Sequence, residues 1–142
     1  MNNGVDQNFI NKLVNYLQTK QHKKLQLEVK LLGKIEDQHP NIIFYYAVSL
    51  SSYERVTKED LLYASELFEK VYLADRSNLL SLKNMVVLSF TIKNFSKVIN
   101  YVEEEVKKNN SNFQMIESLA MINHYMGNDD ISIKYFKTEV FS

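Results

Sequence analysis

The sequence contains no cysteine and no tryptophan, one proline and three glycines in 142 residues. Without cysteine there is no disulfide framework and no thiol chemistry, which inclines the chain towards the cytoplasm. So few glycines and prolines disfavour a β protein built on tight turns and suit helices joined by short polar connections. Net charge is lacking too, since lysine plus arginine and aspartate plus glutamate number 17 each. No overall field draws the chain to nucleic acid or an anionic membrane, and neither is expected as a partner. The longest apolar run, Ile42 to Val48, is too short to cross a bilayer. The start, MNNGVDQNF, lacks the apolar stretch of a signal peptide. The Asn94 and Asn109 glycosylation triplets are therefore read as chance matches.

Chemistry-bearing patterns are equally sparse. His22, His39 and His124 are far apart, and no HExxH or cysteine pair occurs, so no metal site is expected. Glycines at positions 4, 33 and 127 are too dispersed for a phosphate-cradling loop, and no serine sits in a G-x-S-x-G elbow. Asp129 and Asp130 are neighbours that point different ways on a helix, so they suit a helix start rather than acid–base work. No cofactor and no enzymatic activity are expected.

What the chain does have is helical periodicity. Apolar residues at steps of three and four predict eight helices. The first covers about Asp6 to Thr19 (Phe9, Ile10, Leu13, Val14, Leu17) and the second about His22 to Asp37 (Leu25, Leu32, Ile35), ended by Pro40. The third covers about Asn41 to Glu54, and the fourth runs to about Ala74 with Ala64, Phe68 and Val71 on one stripe. The fifth covers about Leu79 to Thr91, the sixth runs from after Asn94 to Lys108, and the seventh covers about Asn112 to Met126. The eighth turns Ile133, Phe136 and Val140 inward. Thr57 with Asp60, and Ser111 with Gln114, have the spacing of capping boxes. Gly127 suits a left-handed helix terminus. Lys20, Lys23, Lys24, Lys30 and Lys34 form a basic stretch, read as a solvated face with a nucleic-acid or lipid contact as the alternative.

Pro40, Arg76 and Asn110 each follow the second helix of a pair, about 34–36 residues apart, the period of helical-hairpin repeats. The last unit carries Ile116, Leu119-Ala120, Gly127-Asn128, Ser132 and Phe136 in order. The third has Leu82, Met85-Val86, Phe95, Val98 and Val102, with Lys93-Asn94 where the glycine would stand. The second has Tyr46, Tyr53, Ala64 and Phe68, with two extra residues near Arg55 to Thr57. The first keeps only Leu32 and Pro40. This pattern resembles the tetratricopeptide repeat family, most clearly from Ile43 onward. The resemblance implies an all-α solenoid of antiparallel helix pairs, a right-handed superhelix forming one domain over 1–142. Its units would be 6–40, 41–76, 77–110 and 111–142.

The resemblance also implies a use. First helices would line a concave groove that binds a peptide or partner protein. The second unit would supply Phe44, Ala47, Val48, Ser51, Glu54 and Arg55. The third would supply Leu80, Lys83, Asn84, Val87, Phe90 and Thr91, and the fourth Gln114, Glu117, Ser118, Met121, His124 and Tyr125. Phe90, Met121 and Tyr125 would anchor a partner, and Lys83, Glu117 and His124 would orient it. Val87, Phe90 and Met121 are equally readable as core. A clamp for a C-terminal carboxylate, known in the family, is not implied: Lys83 and Asn84 fit, but Ala47, Ser51, Gln114 and Ser118 do not. The sequence stops in mid-pattern with Ile133, Tyr135, Phe136, Val140 and Phe141 expected to be partly uncovered. Either a longer protein continues, or that end pairs with another copy or a partner, or it is a tolerated frayed end. The first case would make the chain a repeat segment of a larger transferase-type enzyme.

Overall fold

The computed structural model describes residues 6–53 and 55–141, with side chains of the last helix described as far as Lys137. Among these residues the regular structure is entirely helical: α1 (Gln7–Gln18), α2 (His22–Lys30), a short 3-10 turn (Ile35–Asp37), α3 (Pro40–Ser51), α4 (Lys58–Ala74), α5 (Leu79–Ile92), α6 (Val98–Lys108), α7 (Phe113–Tyr125) and α8 (Asp129–Phe141). Two compact units divide the chain, Met1–Leu88 and Ser89–Ser142, with the division falling inside α5.

Helix starts follow local chemistry. The Asp6 carboxylate accepts from the Asn8 N–H at 2.9 Å, Thr57 Oγ1 from Asp60 N–H at 3.1 Å, and Asn78 Oδ1 from Ser81 N–H at 3.1 Å. Each satisfies a donor that the first helical turn leaves unpaired. Pro40 opens α3, where its missing N–H costs nothing, and the His39 ring accepts from Asn41 N–H at 3.1 Å. The start of α7 departs from expectation. Its cap is Asn112, which accepts from Met115 N–H at 3.2 Å, rather than Ser111 paired with Gln114. Ser111 instead belongs to a turn, donating its N–H to Asn109 Oδ1.

Three helix ends share one device. After α7, Asn128 N–H donates to Asn123 C=O at 2.8 Å, and Gly127 N–H to His124 C=O at 3.1 Å, with Gly127 at φ +83. This is the Schellman arrangement. After α1, Gln21 N–H donates to Tyr16 C=O at 2.7 Å and Lys20 N–H to Leu17 C=O at 3.1 Å, with Lys20 at φ 58. After α5, Asn94 N–H donates to Ser89 C=O at 3.1 Å, with Lys93 at φ 63. Two lysines thus occupy the left-handed position that glycine fills after α7.

The second helix is shorter than its periodicity suggests. It stops at Lys30, a turn at Gly33 with φ +127 follows, and Ile35 is buried from the 3-10 turn instead. Leu32, expected inward, is 48% exposed. Gly33 is the physical reason: its backbone angle lies in a region that side chains disfavour and that ends a helix.

In the N-terminal unit α1 and α2 both pack on α3, and α3 lies along α4. The core there is Leu13, Leu25, Val29, Ile43, Ala47, Ala64, Leu67, Phe68, Val71 and Tyr72, all at most 1–2% exposed. Ala47 and Ala64, on facing helices, have no side chain beyond Cβ and permit close approach. The Phe68 ring meets the edge of Phe44 at a centroid distance of 5.6 Å. Burying a side chain of this size stabilises by about 2–3 kcal/mol relative to exposure. In the C-terminal unit α6 and α8 both pack on α7. Val98 and Val102 from α6, Met115, Ile116, Leu119, Ala120 and Ile122 from α7, and the small Ser132 from α8 are buried.

Candidate functional site

Helix α7 divides its residues sharply between two faces. Met115, Ile116, Leu119, Ala120, Ile122 and Asn123 are buried. Gln114, Glu117, Met121, His124 and Tyr125 are exposed, with Ser118 half-buried among them. Steps of three and four place these six on one stripe. Met121 is 39% and Tyr125 67% exposed. Ser118 Oγ donates back to Gln114 C=O at 2.9 Å, so its hydroxyl is already satisfied.

The stripe ends in an aromatic group. Phe90 meets Phe95 edge-on at 4.9 Å and Tyr125 edge-on at 5.0 Å, and Phe95 lies 6.3 Å from Tyr125. Edge-to-face pairs at such distances contribute about 0.5–1.5 kcal/mol beyond area burial, which biases Tyr125 towards this position. Tyr125 is therefore both exposed and braced. Beside it, His124 Nδ1 lies 3.2 Å from Asp129 Oδ1 across the Gly127 turn. Asn123, which the sequence reading did not single out, supports this turn from below. Its amide donates to Leu119 C=O at 2.8 Å, and its carbonyl oxygen accepts from Asn128 Nδ2 at 3.3 Å. Its burial breaks an apolar stripe, and the asparagine–glycine–asparagine spacing around the turn was the available signal.

On α5, within the N-terminal unit, Leu80 and Val87 are 57% and 63% exposed, and Lys83 and Asn84 are half-buried. Asn84 Nδ2 donates to Leu80 C=O at 2.8 Å, so that amide is engaged with its own helix. The face expected on α3 is different. Ala47 is fully buried, Phe44 is half-buried against Tyr45 and Phe68, and Ser51 Oγ donates to Ala47 C=O at 3.0 Å. Packing of α4 along α3, with α1 and α2 also against that helix, accounts for the burial of Ala47 and Phe44. Arg55 is exposed beyond the end of α3, and Glu54 lies outside the described residues.

No family model matches the chain, and no curated protein does. Solved structures do. One of MamA from AMB-1 superposes with a TM-score of 0.67 at 11% identity, over 93% of this chain and 75% of that one. The fold is an all-α helical solenoid. A substituted variant of MamA gives a TM-score of 0.49 at 10% identity, over 92% of this chain and 88% of that one.

Among the described residues no group of three or more histidines and carboxylates is placed to hold a metal ion, and no helix is long and apolar enough to cross a membrane. What the stripe offers is a rigid aromatic, a flexible thioether and single charges on one regular surface. Those are the residue types that carry contact energy and orientation between proteins.

Proposed function

We propose that this chain is a non-catalytic cytoplasmic scaffold of four hairpin units (6–40, 41–76, 77–110 and 111–142), holding a peptide or partner protein on its first-helix faces. In the tetratricopeptide arrangement those faces form the concave side. The observation that carries the proposal is the α7 stripe, where Met121 and Tyr125 stand exposed and Tyr125 is braced by Phe90 and Phe95. An aromatic already fixed in place loses little freedom on binding, so its contact area converts efficiently into affinity. Glu117 and His124 flank the anchors and set orientation. Gln114 extends the stripe, and Lys83 and Asn84 give a polar pair on α5.

The test is affinity capture with the intact chain as bait, followed by titration of the retained partner. Met121→Ala with Tyr125→Ala removes both anchors without touching buried side chains. Loss of one central anchor costs about 2 kcal/mol, roughly thirtyfold in Kd. Circular dichroism should be unchanged. An unaltered Kd for the double variant rejects this surface.

A further inference from the structure

A pocket of about 470 Å³ opens in the N-terminal unit, lined by Leu17, Lys20, His22, Ser52, Tyr53 and Arg55. It brings the α1–α2 turn together with the end of α3. Half of these residues are basic, and among the described residues no carboxylate lines it. In the sequence Lys20 belongs to a basic stretch, His22 is an isolated histidine, and Arg55, more than thirty residues away, is expected on the groove.

The backbone fixes this convergence. The left-handed turn at Lys20, closed by the Gln21-to-Tyr16 and Lys20-to-Leu17 bonds, reverses the chain at the rim. Helix α2 then begins with no side-chain cap and no acidic residue in its first turn, so its positive end is uncompensated. The end of α3 brings the opposite partial charge. There the hydroxyls of Ser51 and Ser52 donate to the carbonyls of Ala47 and Val48, which takes up part of it. Helix ends carry only about half a charge each. The full charges of Lys20 and Arg55 outweigh these partial charges among the described lining residues.

One wall is aromatic. Lys23 Nζ lies 5.0 Å from the Tyr53 ring centroid, and the His22 ring lies 6.2 Å from it. Leu17 adds an aliphatic surface. The volume falls in the range of about 300–1,000 Å³ common for small organic ligands. It exceeds what a bare inorganic anion needs.

The geometry points to a binding site for an organic phosphate monoester, with Lys20, His22 and Arg55 holding the phosphate and Leu17 and Tyr53 receiving the carbon group attached to it. A guanidinium presents paired donors that match phosphate oxygens, and an ammonium adds a compact charge. This site is independent of the α7 stripe and stands or falls without it.

The experiment is an amide-resolved NMR titration of the full chain with phenyl phosphate, benzoate and phenol. Phenyl phosphate should give saturable shifts at Lys20, His22 and Tyr53. Benzoate should bind at least about tenfold more weakly, and phenol not at all. Arg55→Gln and Lys20→Gln should each weaken phenyl phosphate by about tenfold, as expected for one charge-assisted hydrogen bond. The Met121→Ala/Tyr125→Ala variant should bind it normally. Phosphotyrosine as the free amino acid and within a peptide then separates the two sources. Tighter binding of the free form indicates a small molecule, and tighter binding of the peptide a modified protein; either supports the site. Absence of saturable shifts at those amides, equal affinity for benzoate, or an unchanged Kd in Arg55→Gln overturns it.

Discussion

Replacing Lys93 by glycine should stabilise the protein, although it deletes a charged side chain and introduces the most flexible residue. Lys93 sits at φ 63, in the turn closed by Asn94 N–H to Ser89 C=O. A residue with a Cβ loses about 1–2 kcal/mol in that left-handed region. Glycine escapes this but has more freedom to lose on folding, about 0.5–1 kcal/mol. The difference leaves a net gain of about 0.5–1 kcal/mol. For a chain of this length that corresponds to a rise in Tm of roughly 2–4 °C. Lys93→Ala separates backbone from charge. It keeps the Cβ, so it should stay within about 0.5 kcal/mol of the parent. Thermal and urea unfolding followed by circular dichroism measure both. If Lys93→Gly is neutral or destabilising while Lys93→Ala is neutral, the strain argument is wrong.

Two further predictions concern other parts of the molecule. Tyr63 Oη donates to Glu36 Oε1 at 2.5 Å, tying α4 to the 3-10 turn. This bond holds the Glu36 carboxyl below the usual glutamate range, helped by its own backbone and by Lys34 and Lys70; burial and the same bond push the Tyr63 hydroxyl up. Because the folded value for Glu36 is depressed, the stability it contributes is complete above the ordinary glutamate pKa of about 4.3 and is lost as pH falls through the lowered value. Tyr63→Phe should cost about 1 kcal/mol at neutral pH, discounted for partial exposure, and should flatten the acid limb of a stability-versus-pH curve. An acid limb identical to the parent's would refute this coupling. On α8, Ile133 and Phe136, three residues apart on one face, are 51% and 38% exposed, and we propose that this face permits self-association. Light scattering should then give a lower mass for Phe136→Glu than for the parent at high concentration; equal masses count against it.

The fold was largely legible because helix and cap signals are local. Thr57 caps α4 by accepting from the Asp60 N–H, as the spacing indicates, and Gly127 adopts the left-handed angle expected of it. Lys93 adopts a left-handed turn at the place where the resemblance would put a glycine. The end of α2 was misread because Leu25, Leu32 and Ile35 keep a helical rhythm across Gly33, and periodicity does not record one reversed backbone angle. The cap of α7 was misplaced by one residue, since Ser111 and Asn112 both carry acceptors and only three-dimensional reach selects Asn112. Ile133 and Phe136, whose spacing points inward on α8, are 51% and 38% exposed, as the uncovered end of the pattern implies, while Ser132 on the same helix is buried as a small contact residue. The side chains of Val140 and Phe141 lie outside the described residues. Of the expected partner surface, the α7 residues lie along one largely exposed stripe, while on α3 Ala47 is buried, Phe44, Val48 and Ser51 are half-buried, and Arg55 just beyond the helix is exposed. The pocket at Lys20, His22 and Arg55 was not legible in sequence, because Arg55 lies more than thirty residues from the other two and only the α1–α2 turn and the end of α3 bring them together.

The most direct test of the scaffold account is site-specific photocrosslinking inside cells. A photoreactive benzoylphenylalanine replaces Met121 on the α7 stripe in one variant and the exposed Lys107 on α6 in another. A defined crosslinked partner at position 121 and none at 107 is the predicted result. The same partner captured at 107 and absent at 121 would contradict it.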